Sequence, residues 1–74
     1  MDISTAIKML KSEYPDLIPV GYWDVGDGIV FNTNNPYTVR DVHIPAQFKV
    51  GNDGSVYGTN PVRSKLGSFK YIKL

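Results

Sequence analysis

Hydrophobic and polar positions alternate with two different periods along this chain. At the start, Ile3, Ala6, Ile7, Leu10 and Tyr14 recur at i, i+3, i+4, i+7 and i+11, the spacing of one helix face, with Lys8, Lys11, Ser12 and Glu13 mostly off that stripe. The pattern predicts a helix over about 3–13. Asp2 can accept from the amides of the first turn, and Pro15 stops the helix because it lacks an amide hydrogen and pushes Tyr14 out of the α region. At this length the helix does not stand alone in water, so its stripe must pack on something.

From Ile18 the period shortens to two. IPVGYWDV (18–25) reads as a strand that sends Val20 and Tyr22 to one face and Trp23 and Val25 to the other. Gly26-Asp27-Gly28 supplies turn chemistry, and Ile29–Thr33 resumes as a second strand with Ile29 and Phe31 opposite Val30. Asn34-Asn35-Pro36 breaks it, and residues 37–45 fit either a short strand or a surface connection. A second hairpin follows: Ala46–Val50, a Gly51-Asn52-Asp53-Gly54 turn suited to a type I′ corner, and Ser55–Thr59, facing the core through Val56 or Tyr57. Asn60-Pro61 stops it, and Phe69–Leu74 reads as a further candidate strand. The expected architecture is α+β: residues 1–74 form a single domain, with one N-terminal helix packed on an antiparallel meander of about four strands and the opposite face of the sheet left free.

Composition narrows the chemistry. With no cysteine there is no disulfide framework, thiolate metal site or cysteine nucleophile. A chain of 74 residues without such staples relies on packing or on a partner subunit, so a homo-oligomer is among the partner classes to expect. No apolar run reaches the ~20 residues that cross a bilayer, and Met1-Asp2-Ile3-Ser4 does not read as an export signal, which makes the cytoplasm the expected location.

The net charge of +1 hides an asymmetry. Residues 1–53 carry four basic side chains against seven acids, or −3, whereas residues 54–74 carry Arg63, Lys65, Lys70 and Lys73 and no acid, or +4. Such a segment serves either as a solvated edge that discourages sheet-to-sheet pairing or as a footprint for an anionic partner. Beside Tyr57, Phe69 and Tyr71, these four cations give an alternative function, nucleic-acid binding, although an RNP-type motif is missing and the pI of about 8.0 is modest.

Catalytic sets are scarce. His43 is the sole histidine, and no serine sits in a nucleophile motif. Asp24, Asp27 and Asp53 could share a cation if the two hairpin turns lay at one end of the sheet, yet Asp is common in turns for its own hydrogen bonding. The glycines around them are turn glycines, since no lysine or helix follows to make a phosphate loop. No catalytic residue, metal or cofactor is assigned. What exceeds the needs of a small core is the aromatic supply: Tyr22, Trp23, Tyr37 and Tyr57 are the candidate protein-interaction residues.

The stretches SEYPDLIPVGYW, DGIVFNTN and FKVGNDGSVYGTNP, in that order, resemble small bacterial and phage-encoded domains. The last is similar to the closing hairpin of PepSY-like and YrhB-type immunity domains and of uncharacterised Gram-positive phage proteins. It departs from their pattern where Gly51-Asn52 replaces the usual acid and where no threonine precedes Gly54. The resemblance covers about residues 3–61 by layout. It implies a non-enzymatic binding or inhibitory module, borne by a phage or mobile element and located in the host cytoplasm or the virion, and it carries over no catalytic residue.

Overall fold

A computed structural model describes residues 1–34, 47–59 and 66–74. The helical stripe forms α1 (Ile3–Glu13), as its period requires. The Asp2 carboxylate accepts from the Thr5 amide at 2.7 Å, satisfying one of the donors that a helix start leaves without a partner. Tyr14 closes the other end by donating its amide to the Leu10 carbonyl, and Leu17 then bonds back to Tyr14, turning the chain into the sheet.

The strands are β1 (Ile18–Asp24), β2 (Gly28–Asn34), β3 (Gln47–Gly51), β4 (Val56–Thr59) and β5 (Tyr71–Lys73). They form one sheet in the order β4-β3-β2-β1-β5, antiparallel throughout. The first four are the expected meander. The fifth strand goes beyond the expected count of about four, because the chain leaves β4 at one edge and returns at the opposite edge beside β1. Residues 37–45 and the tail as far as Lys65 lie outside the described residues.

One face of the sheet meets α1, which packs on β3 and β4. Ala6, Leu10, Leu17, Ile29, Phe31, Phe48 and Val50 are the buried cluster, with Ile3, Ile7, Met9, Tyr22 and Val56 partly buried against it. Val56, not Tyr57, therefore faces the core. Met9 widens the stripe beyond its simplest period. In β1 the alternation shifts once: Pro19 opposes Thr33 and Gly21 opposes Asn32, so Val20 is an inserted bulge residue. Pro19 stands next to that bulge, where the ladder is already irregular and its missing donor is tolerated.

The second face is not bare. Val30 is 5% exposed and Gln47 8%, so the expectation of a wholly free opposite side does not hold over the centre of the sheet. β2 is buried on both faces over most of its length. Among the described residues, no helix is long and apolar enough to cross a membrane.

Candidate functional site

The two hairpin turns lie at the same end of the sheet and are bonded to each other. Asn52 donates its amide to the Asp27 carbonyl (2.9 Å) and its side-chain nitrogen to the Gly26 carbonyl (3.2 Å). The second turn differs from the type I′ corner expected for Asp-Gly. Gly54 donates to the Gly51 carbonyl and Gly51 to Ser55, with Gly54 at φ +90°, which makes a three-residue loop ending in a left-handed glycine bulge. The backbone strain of that loop falls on one residue, and glycine occupies it.

Between and below these turns is an open pocket of about 330 Å³, lined by Asp27, Lys49, Asn52, Asp53, Ser55 and Tyr57. Lys49 projects from β3 and holds Asp27 at 2.9 Å, with the lysine largely covered and the carboxylate mostly exposed. The hydrogen bond that Lys49 donates to the Asp27 carboxylate pushes its ammonium above its ordinary range, and Tyr57 adds to the shift. Asp53 accepts from the Ser55 hydroxyl (2.6 Å) and amide (3.0 Å), which holds its carboxyl below the usual value. Both shifts run away from neutrality, opposite to what a general acid or base at pH 7 requires. A lysine with a raised pKa is also a poor nucleophile.

The three turn acids share an end of the sheet without converging. Asp24 accepts from the Gly26 amide (3.1 Å), Asp27 pairs with Lys49 and Asp53 with Ser55. Among the described residues, no group of three or more His, Asp or Glu is placed to hold a metal ion. His43 lies outside them.

The four candidate aromatics do not form one patch. Tyr22 belongs to the α1 side, with its ring 6.3 Å from that of Phe31. Trp23 and Tyr57 share the second face, but β2 and β3 separate them by about 14 Å at ordinary strand spacing. Tyr37 lies outside the described residues. The partner of Trp23 is Tyr71, with ring centroids 4.5 Å apart. The Tyr71 ring lies across Gly21, where a Cβ would collide with its hydroxyl end. That contact was legible only once β5 was known to pair with β1.

Of the four candidate cations, Lys70 and Lys73 are exposed beside and within β5, and Arg63 and Lys65 lie outside the described residues. The sequence pattern did not place a further set of exposed apolar side chains at the β1–β5 edge. Ile18 and Val20 of β1, Ile72 of β5 and Leu74 just after it are exposed; Ile72 and Leu74 lie on the Tyr22 face, whereas Ile18, opposite Asn34, lies on the other.

No protein-family model, characterised protein or solved structure matches the chain.

Proposed function

We propose that this chain is a small non-enzymatic module that works by binding another protein. The observation that carries the reading is the exposed apolar set on the β1–β5 side. Ile18 is 59% exposed and Leu74 55%, in a chain whose α1 is already spent on β3 and β4. Ile72 and Leu74, two residues apart on one face of the edge strand, make an exposed apolar strip, and such strips mark contact surfaces. The pKa directions at the polar pocket support the same reading, since they disfavour acid–base work there. So does the resemblance of the hairpins to immunity domains, which also suggests carriage by a phage or mobile element.

The nucleic-acid alternative has less behind it. Tyr71 is engaged with Trp23 and Gly21 rather than presented for base stacking. Tagged wild type and an Ile72→Asp variant should be compared by cross-linking and pull-down. The expected result is a partner retained by the wild type and lost with the aspartate. An identical captured set from both proteins would overturn the reading. A gel shift that weakens steeply with salt would replace it with the nucleic-acid one.

A further inference from the structure

We propose that the β5 edge takes an extended, acidic segment of a partner protein as a sixth strand. This rests on the binding reading above and specifies the partner's chemistry.

The hydrogen-bond phase of the ladder is fixed by two bonds. Leu74 donates to Val20, and Val25 donates to Gly28. In an antiparallel pair the bonded positions alternate. Leu74–Val20 and, two residues on, Ile72–Tyr22 are therefore the bonded pairs between β5 and β1, and Trp23 bonds toward β2. Tyr71 and Lys73 are left with amide and carbonyl groups directed away from the sheet, at its edge. These four groups are the template that a further strand needs. Side chains alternate with them: Tyr71 and Lys73 on the face of Trp23, and Ile72 on the face of Tyr22, where it is 41% exposed.

Charge selects the occupant. Residues 54–74 hold four cations and no acid, and Lys70 and Lys73 have no ion-pair partner among the described residues. A second copy docking through β5 would set Lys70 and Lys73 against their own counterparts, whereas a strand bearing Glu or Asp would pair with them. The other edge, β4, directs the backbone of Val56 and Gly58 outward by the same alternation, but the lysine on its neighbouring strand, Lys49, is already held by Asp27. An acidic strand with an apolar residue opposite Ile72 thus fits β5 and not β4.

The probes are capped heptapeptides of alternating Glu and Val and of alternating Lys and Val, titrated into the whole chain by amide NMR. The Glu–Val peptide should shift the Tyr71 and Lys73 amides, slow their hydrogen exchange, and bind more weakly as salt rises. Lys73→Pro removes an outward donor that the sheet does not use, so the fold should persist while binding falls about tenfold or more. Lys73→Gln keeps the donor and loses only the charge, and should fall in between. The Lys70→Glu/Lys73→Glu double variant should reverse the preference toward the Lys–Val peptide, which tests the claim even if the proline loosens β5. The proposal fails if the Lys–Val peptide binds wild type equally well, if shifts map to Val56 and Gly58, or if the chain sediments as a dimer that Lys73→Pro dissolves. If Ile72→Asp loses a captured partner that Lys73→Pro keeps, the binding reading stands and strand addition is wrong. A wild type that retains no partner overturns the binding reading itself.

Discussion

Gly58, Phe48, Phe31, Tyr22 and Ile72 form a single row across all five strands on one face, and the part of that row beneath α1 has surroundings opposite to those of its β5 end. Beneath α1, Phe31 is fully buried and Phe48 nearly so, whereas at the β5 end Ile72 is exposed. Phe48, Phe31 and Ile72 are all apolar and the backbone is the same pleated sheet. The difference is coverage: an 11-residue helix is about 16 Å long at the usual rise, and it sits over β3 and β4. A sheet of five strands spans about 19 Å at ordinary spacing, and the helix lies toward one side of it. The covered half supplies stability, and the uncovered half leaves Ile72 exposed.

Truncating one residue beneath α1 and one at the β5 end tests the comparison most strongly. Phe31→Ala should cost about 3–5 kcal/mol, which matches all that a chain this small draws from its core, about 3–5 kcal/mol. The variant should be largely unfolded without denaturant. Ile72→Ala should move stability by less than about 0.5 kcal/mol. Urea titrations followed by Trp23 fluorescence read both. Similar midpoints for the two variants would mean that β5 belongs to the same cooperative core as α1, and the division into halves would be lost.

A smaller effect sharpens the uncovered half. Gly21→Ala places a methyl group where the Tyr71 ring lies. The ring is the far end of a flexible side chain and can swing away, so the cost should be that of the lost Trp23–Tyr71 pair, about 0.5–1.5 kcal/mol. The same substitution in a Tyr71→Ala background should cost close to nothing. A double-mutant cycle read through Trp23 emission measures the coupling. Full additivity would show that Gly21 does not serve the aromatic pair.

The covered half was the legible one. Helix start, stripe and stop are all local signals: Asp2, the 3.6-residue period and Pro15. Both hairpins announce themselves through glycine and aspartate between alternating runs. The uncovered half depends on a pairing between residues about fifty positions apart, β1 with β5, and nothing in the local pattern of Phe69–Leu74 says which edge it joins. That single non-local fact decides that Trp23 meets Tyr71 and that Ile72 sits at the edge of the sheet. Alternation separated Tyr22 from Trp23 in the sequence, yet it does not say which face the helix takes. The turn type was misread for a related reason, since Asp-Gly fits two corners and the positions of the flanking hydrogen bonds decide between them.

Acid should distinguish the halves most gently. Asp2 and Asp53 are both held below their ordinary pKa of 3.8, the first by hydrogen bonds from Thr5, the second by those from Ser55. One caps α1 and the other closes the β3–β4 turn, so both act in the covered half. A carboxylate with a depressed folded-state pKa binds its proton more weakly when folded. Its contribution is therefore complete above its unfolded pKa and drains away as pH falls through the lower folded value. Both groups are at the surface and the effect is small. Amide exchange in the first turn of α1 and at residues 52–55 should accelerate below pH 3.8 before the β1–β5 pairing loosens. Asparagine caps a helix about as well as aspartate but does not titrate, so Asp2→Asn with Asp53→Asn should flatten that acid response while leaving neutral stability nearly unchanged. If the double variant frays in acid as the wild type does, these two carboxylates are not what ties the covered half to pH.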